Sequence, residues 1–140
     1  MNSSTNSQNA RRCVESIWAA DWETVANTFG EEAVLIDPLL TEPVRGKAAI
    51  LDLYKSCREY EPDMSGEIKS VTAEQDRVVI EWISYGTMAK PFPGMPASVV
   101  GKRVEIPEVN ILEFRDGKII SNTVYADTGA IRRQLGLKTT

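Results

Sequence analysis

Histidine, the side chain that enzymes use most often for proton transfer, is absent from this 140-residue chain. Its absence excludes Ser-His-Asp and Cys-His nucleophiles, histidine general bases and histidine-ligated zinc. The two cysteines, Cys13 and Cys57, are too few to bind zinc alone or to form a disulfide scaffold, so we predict no metal site. Any proton transfer is therefore expected to use carboxylates, tyrosine, lysine, cysteine or water.

Two glutamates stand out by their positions in predicted elements. Glu61 is the least expected polar residue on the apolar side of a predicted helix over 47–60, if that helix extends by one residue. It is either a pocket carboxylate or a solvated helix-end residue, since glutamate is rarely buried without a partner. Glu108 shares strand parity with Asn110 on a predicted strand over 101–115, so it either faces a pocket or pairs with a lysine or arginine.

The order of predicted elements places helices first and long strands after them. Apolar spacing predicts helices over 9–19, 22–29 and 47–60, with Asp21 as an N-cap, and a terminal helical turn over 128–135. Period-two patterns predict strands over 33–37, 68–72, 77–88, 101–115 and 118–126. This order predicts an α+β fold in which three N-terminal helices cover a curved, mainly antiparallel sheet, and such a cone encloses a pocket.

Length, charge and hydropathy limit the domain count and the partners. We expect one domain over 9–137, preceded by a Ser/Asn-rich tail, residues 1–8, that frays. The net charge of −4 and the lack of a basic block predict no nucleic-acid partner. Without an 18-residue apolar run or a secretory signal, we expect no membrane association and a cytoplasmic protein.

Motifs along most of the chain resemble two related families. The first half, starting from Asp21, resembles ketosteroid isomerase in Ile36-Asp37-Pro38, Glu42-Pro43-x-x-Gly46, Ala49-Ile50 and Leu53-Tyr54. The second half is similar to SnoaL-like polyketide cyclases in Trp82-x-x-x-Gly86-Thr87, Gly94-Met95-Pro96, Gly101-Lys102-x-Val104, Asp116-Gly117-Lys118-Ile119 and Asp127 followed by Gln134-Leu135-Gly136. Both families belong to the nuclear-transport-factor-like superfamily of α+β cones. The resemblance implies a cofactor-free pocket for an apolar polycyclic substrate, in a homodimer formed through the outer sheet face.

The resemblance assigns roles to two aspartates. Asp37 matches the general base of ketosteroid isomerase, and an apolar strand followed by Pro38 would hold its carboxylate at a pocket wall, where loss of solvation raises its pKa. Asp127 matches the acid or base that SnoaL-like cyclases keep seven residues before Gln-Leu-Gly. The structural alternatives are that Asp37 caps the turn at Pro38 and that Asp127 caps the terminal helix.

Several other positions match or depart from the two families. Cys13 stands where ketosteroid isomerase has its oxyanion-hole tyrosine, and Asn110 replaces the aspartic acid that assists it, so that oxyanion hole is absent. Asn110 either donates to a substrate carbonyl or is satisfied inside its strand. Tyr54 matches a supporting tyrosine that either contacts substrate or packs in the core. Met88 replaces a histidine common in SnoaL-like proteins. The predicted substrate contacts are Asn110, Tyr54, Trp18, Glu61, Glu108 and Met88.

The function predicted from these residues is a cofactor-independent isomerase or cyclase that acts on a polyketide- or meroterpenoid-type metabolite. One of Asp127 and Asp37 would remove a proton next to a carbonyl, and the other would return a proton or assist ring closure. One alternative is epoxide hydrolysis by an Asp-Arg-Asp set. The arginine of such a set would be expected on the predicted strand that contains Trp82, and that strand has only Arg77, near its beginning. The other is a non-catalytic module for small-molecule binding or dimerisation, since a fold does not fix a function.

Overall fold

A six-stranded sheet and four helices position the candidate residues. The computed structural model describes residues 3–138. Its helices are α1 (Ser3–Trp18), α2 (Trp22–Thr28), α3 (Lys47–Tyr60) and α4 (Thr128–Gln134), and a 3-10 turn spans Ala97–Val99. Its strands are β1 (Phe29–Ile36), β2 (Val44–Arg45), β3 (Ser65–Glu74), β4 (Arg77–Thr87), β5 (Arg103–Arg115) and β6 (Lys118–Ala126).

The strands form one curved, open sheet in the order β2-β1-β6-β5-β4-β3. Strand β1 runs parallel to β6, and the other neighbouring strands are antiparallel. Register shifts interrupt the β3–β4 and β5–β6 ladders, and such bulges increase local twist and bending. The predicted α+β fold with a curved, mainly antiparallel sheet is confirmed.

The two faces of the sheet have different surroundings. On β5, Leu112 and Phe114 are buried on the inner face, whereas Glu113 and Arg115 point outward into solvent. Helix α1 contacts β3 and β4, and helices α2 and α3 contact β1. The three N-terminal helices therefore cover the inner face, as predicted.

Two apolar clusters fill the space between the helices and the sheet. The first cluster lies under α1, α2 and α3 and includes Val25, Phe29, Leu35, Ile50 and Ile80. The second cluster lies where β4 ends and β5 begins, and its buried members are Met88, Val99, Val104, Ile106, Ala130 and Leu135. Phe92 and Met95, from the loop over 88–102, pack against the second cluster. The inner face is thus covered by the N-terminal helices at one end and by α4 and this loop at the other.

The N-terminal region corrects one prediction. Helix α1 begins at Ser3 rather than at residue 9, so residues 3–8 of the expected frayed tail are helical, while residues 1–2 lie outside the described part. Asn6 and Ala10 are both fully buried, because α1 lies against the inner face of the sheet. Tertiary packing therefore outweighs the weak helix propensity of the Ser/Asn-rich segment.

The predicted start of α2 is confirmed by its cap. The Oδ1 atom of Asp21 accepts a hydrogen bond from the Thr24 amide at 3.2 Å. Among residues 3–138, no helix combines the length and apolar character needed to cross a membrane.

Candidate active site

Polar side chains separate the two apolar clusters on the inner face. Along β5, Ile106 belongs to the second cluster and Leu112 to the first, and Glu108 and Asn110 lie between them. Because residues at intervals of two share one face of a strand, these four side chains all point inward. The site is therefore a polar layer in a mostly apolar interior.

Three carboxylates from different elements meet in this layer, and we call them the carboxylate layer. Asp37 directly follows β1, Glu61 is the C-cap residue of α3, and Glu108 lies in β5. The negative charges of Asp37 and Glu61 both raise the pKa of Glu108. All three side chains keep partial exposure to solvent. The layer thus brings together Asp37, Glu61 and Glu108, which the sequence predicted separately.

Glu108 has the most perturbed carboxyl group of the three. Burial raises its pKa from 4.5 to about 7, the charges of Asp37 and Glu61 add to that effect, and a hydrogen bond with the Ser84 side chain opposes it. Ser84 lies on the inner face of the neighbouring strand β4, where its register partner is Ile106. Glu108 is therefore protonated in a large fraction of molecules at neutral pH and can act as an acid.

Asp37 has a less perturbed carboxyl group. Burial raises its pKa, while the hydrogen bond that its Oδ1 accepts from the Leu39 amide, at 2.9 Å, lowers it. This hydrogen bond is the structural role considered for Asp37 at the turn that contains Pro38. It uses only one of the two carboxylate oxygens, so the same side chain remains able to accept a proton.

Glu61 reaches the layer because the facing strand has a glycine at position 86. A Cβ atom added to Gly86 would overlap with Oε1 of Glu61 and would lie 3.0 Å from its Cδ. Burial raises the pKa of Glu61, and the charge of Asp63 raises it further. The Gly86-Thr87 pair, which contributed to the family resemblance, therefore provides the space that a third carboxylate occupies.

A linear hydrogen-bond relay runs from the sheet to helix α3. Trp82 Nε1 donates to Asn110 Oδ1 at 2.8 Å, and Asn110 Nδ2 donates to Asn122 Oδ1 at 3.1 Å. Asn122 Nδ2 then donates to the Tyr54 hydroxyl oxygen at 3.2 Å. Burial raises the pKa of Tyr54 well above its usual range, and the charge of Asp37 contributes to that rise. Tyr54 is therefore neutral and lies near Asp37.

The two cysteines are not activated as nucleophiles. Burial raises the pKa of Cys13 to about 12 and that of Cys57 to about 11. The charges of Glu61, Asp37 and Glu108 also raise the pKa of Cys57, which places its thiol beside the carboxylate layer. Both groups are therefore neutral thiols at physiological pH.

Comparison with known families identifies the chain. The family model described as SnoaL-like polyketide cyclase matches residues 8–135, which include every strand and most of the four helices. The chain belongs to the SnoaL-like polyketide cyclase family. The family resemblance inferred from the sequence motifs is thereby confirmed. None of the curated proteins compared with the chain by sequence is similar enough to count as a relative.

Solved structures support the fold of this SnoaL-like chain. A protein from Jannaschia sp. CCS1 assigned to the SnoaL-like polyketide cyclases has a TM-score of 0.86 at 22% identity, with 97% of this chain and 94% of that chain covered. IdmH from Streptomyces antibioticus, assigned as a polyketide cyclase, has a TM-score of 0.81 at 23% identity and coverage of 94% and 99%. An LEH-like epoxide hydrolase from M. tuberculosis has a TM-score of 0.77 at 16% identity and coverage of 95% and 90%.

Asp127 of this SnoaL-like chain lies in a different setting from the carboxylate layer. Its Oδ1 accepts a hydrogen bond from the Ala130 amide at 2.9 Å and caps α4, and its Oδ2 lies 3.8 Å from the Arg133 guanidinium. More than half of its side chain is exposed to solvent. These contacts correspond to the helix-capping alternative, and the acid–base role of Asp127 stays a prediction.

The other predicted substrate contacts differ in how accessible they are. Met88 is 2% exposed and packs in the second apolar cluster, and its substrate contact stays a prediction. Asn110 is buried and already bonded to Trp82 and Asn122, which matches the alternative of an amide satisfied inside its strand. Trp18 is partly exposed, and its ring centroid lies 5.6 Å from that of Trp82.

Two residues of the site, Asn122 and Ser84, were not predicted from the sequence. Asn122 is 2% exposed and connects Asn110 to Tyr54. It lies on the inner face of a strand that was predicted, so a polar residue at a core position of that strand was the available signal. Ser84 likewise has inner-face parity on β4, but a serine on a strand carries no distinctive pattern.

Proposed function

We propose that this SnoaL-like chain is a cofactor-independent isomerase or cyclase that works by carboxylate acid–base catalysis on a polyketide- or meroterpenoid-type substrate. The observation that carries this proposal is the meeting of two carboxyl groups, Asp37 and Glu108, beside the neutral Tyr54 hydroxyl; burial raises the pKa of both carboxyl groups, and that of Glu108 to about 7. Two carboxyl groups whose environments separate their pKa values can serve as one base and one acid.

The proposed reaction begins with proton removal by Asp37. Its ionised carboxylate takes a proton from a carbon next to a substrate carbonyl, and the electron pair of that C–H bond moves to the carbonyl oxygen. The Tyr54 hydroxyl donates a hydrogen bond to the resulting enolate oxygen. Protonated Glu108 then gives its proton either to another carbon of the conjugated enolate, which isomerises the substrate, or to a second carbonyl oxygen as the enolate carbon closes a ring. No net oxidation or reduction occurs.

The walls of the site suit an apolar substrate. Trp18 and Trp82 form a tilted aromatic pair, and Trp18 is partly exposed. We therefore propose Trp18 as a contact for the ring system of the substrate. The nearby carboxylates disfavour any anionic group on the substrate other than the enolate formed in the reaction, because like charges close together repel strongly in an apolar interior.

The epoxide hydrolase alternative has less support. It requires an arginine between two carboxylates, yet the pKa values of Asp37, Glu61 and Glu108 depend on burial, hydrogen bonds and other carboxylates. Within the described chain, no arginine charge is among these causes. Arg58, on α3, donates instead to the backbone oxygens of Trp18 and Pro62 at 3.1 Å each.

We also propose that two copies of the chain pair through the outer face of the sheet. Ile36 is 44% exposed and Tyr125 is 59% exposed. Their register partners on the outer face are Thr123 and Val109, respectively. An exposed apolar surface on a central part of a sheet is typical of an interface.

The catalytic proposal can be tested without knowing the substrate. The probe is 5-nitrobenzisoxazole, whose ring opens to a coloured phenolate when a base removes its single C3 proton and the N–O bond breaks. We expect the wild-type chain to accelerate this opening, with a rate that rises as Asp37 ionises. Asp37→Asn should lower kcat/KM by about 100-fold or more.

The matched control for this test is Asp52→Asn, which changes an exposed aspartate on α3. It should leave the rate unchanged. Equal rates for Asp37→Asn, Asp52→Asn and the wild type would reject Asp37 as the base and favour the non-catalytic binding module.

A further inference from the structure

The relay that ends at Tyr54 has a direction, and Trp82 sets it. An indole nitrogen can donate a hydrogen bond but cannot accept one. The side-chain oxygen of Asn110 must therefore face Trp82, as it does at 2.8 Å. This orientation turns the NH2 group of Asn110 toward Asn122, whose oxygen accepts it at 3.1 Å. Because the oxygen of the Asn122 amide is used in this bond, its NH2 group faces Tyr54.

The direction of the relay determines what the Tyr54 hydroxyl can do. Its oxygen accepts the hydrogen bond from Asn122 at 3.2 Å. Within residues 3–138, the hydroxyl donates no hydrogen bond to another residue, so its own hydrogen is available to a ligand. A hydroxyl oxygen that accepts a hydrogen bond becomes a better donor, because hydrogen bonds in a chain polarise one another.

We infer that Asn122 and Trp82 are positioning residues that keep Tyr54 oriented as a hydrogen-bond donor toward a ligand oxygen. This inference rests on the proposed function in that Tyr54 is assigned there as the donor to the enolate. Neither residue needs to touch the substrate for this role. Asn122 acts through the hydrogen bond that it donates, and Trp82 acts by fixing the orientation of both amides.

The alternative arrangement shows why the direction matters. If either amide were free to rotate, Asn122 could present its oxygen to Tyr54, and the hydroxyl would then donate into the protein. A ligand oxygen would lose its donor, although the fold and the apolar contacts of the site would be unchanged. The inference therefore predicts a change in the acidity of Tyr54 that a purely structural role would not produce.

The experiment replaces Tyr54 with a fluorinated tyrosine, whose free phenol is far more acidic than that of tyrosine. It therefore still ionises at an accessible pH although burial at this position raises the pKa, and its ionisation is followed by ¹⁹F NMR. In an otherwise wild-type chain, the ionised oxygen keeps the hydrogen bond from Asn122. Asn122→Leu removes that bond, so the phenol should become about tenfold or more less acidic. Trp82→Phe should make it less acidic by a smaller factor. Thr123→Val, on the outer face of the same strand, should leave the acidity unchanged.

The outcomes separate this inference from the proposed function, because the titration needs no turnover. Equal acidity in the parent chain, Asn122→Leu and Trp82→Phe would overturn the positioning role. If Asn122→Leu does not fold, Trp82→Phe alone decides, since it leaves both amides in place. A weaker acid in these variants, combined with an unchanged rate for Asp37→Asn on the benzisoxazole probe, would support the positioning role and reject the catalytic proposal.

Discussion

The carboxylate of Glu108 illustrates how an interior replaces histidine as a group that titrates near neutral pH. On β5 it lies between Ile106 and Asn110, and burial is the largest cause of its raised pKa of about 7. The value falls in the range where histidine ordinarily titrates. In a chain without histidine, a buried glutamate can therefore act as an acid near neutral pH. The fold is less stable whenever that glutamate is ionised, because burial disfavours its charged form.

This cost predicts how stability depends on pH. The pKa of Glu108 is 4.5 when unperturbed and about 7 in the fold, so the folded state holds the proton more tightly. The resulting stabilisation is fully present below pH 4.5 and is lost as the pH rises through 7. Over this range the free energy of unfolding falls by about 3 kcal/mol in total. Urea denaturation of the wild type and of Glu108→Gln from pH 5 to pH 8 should show a steeper decline for the wild type.

Glu105→Gln is the control for this prediction, because it changes an exposed glutamate on the outer face of the same strand. Its profile should run parallel to that of the wild type. A wild-type profile as flat as that of Glu108→Gln would contradict the raised pKa of Glu108.

Part of this site could be predicted from the sequence, and there are physical reasons why the rest could not. Asp37, Tyr54, Glu61 and Glu108 were each named, and they lie near one another in the structure. Their meeting could not be derived from local patterns, because they lie within or directly after β1, α3 and β5, and only tertiary packing brings these elements together. Asn122 was missed because a single buried asparagine gives no signal until its partners are known.

At the scale of elements, α4 explains why Asp127 could be interpreted in two ways. The side chain caps α4 through the Ala130 amide, and asparagine caps helices about as well as aspartate. A capping role therefore survives replacement by asparagine, whereas an acid–base role does not. The two interpretations can be separated by comparing two substitutions at this one position.

Asp127→Ala should lower the free energy of unfolding by about 1 kcal/mol, because the Ala130 amide loses its acceptor. Asp127→Asn should stay close to the wild type in stability. The ion pair with Arg133 is exposed and contributes little. On the benzisoxazole probe we expect Asp127→Asn to retain turnover; a large loss of kcat with unchanged stability would show that Asp127 acts in the chemistry.

The contact between α1 and β3 depends on a glycine. A Cβ atom at Gly66 would overlap with the Trp18 ring and would lie 2.9 Å from the Ile83 carbonyl oxygen. Because neither the indole nor the backbone can move freely there, Gly66→Ala should lower the free energy of unfolding by about 1–3 kcal/mol. Gly30→Ala, whose nearest contact would be at 3.5 Å, should change it much less in the same denaturation assay. Equal effects would contradict this packing.

Element boundaries show where local sequence patterns were sufficient and where they were not. Helix α3 occupies the predicted range because its apolar stripe and its following proline both mark it. Helix α1 begins six residues before the predicted start, since Asn6 and Ala10 in its first turns are buried against the sheet and no apolar stripe marks these turns. Strand β1 begins at Phe29, within the residues that the pattern had assigned to the end of α2.

At the scale of the whole molecule, helices cover one face of the sheet, and the other face is exposed to solvent. The helices contact the inner face, where the two apolar clusters and the polar layer lie. The outer face carries Val109 and Ile111 on β5 beside Tyr125 and Thr123 on β6. The proposed pairing of two copies would cover this outer surface and leave the site on the opposite face of each sheet.

A charge placed on the outer face should separate the proposed dimer. Tyr125 is 59% exposed, so Tyr125→Glu should change the stability of the single chain little. In the proposed dimer, however, the new carboxylate would be buried beside Val109 and against the outer face of the second copy, which is unfavourable. We expect sedimentation equilibrium to give twice the chain mass for the wild type and the chain mass for Tyr125→Glu. Leu39→Glu changes an equally exposed apolar residue in the loop after β1, away from the sheet face, and should stay dimeric. A wild type that sediments as a single chain would exclude the interface, and dissociation of both variants would place it elsewhere.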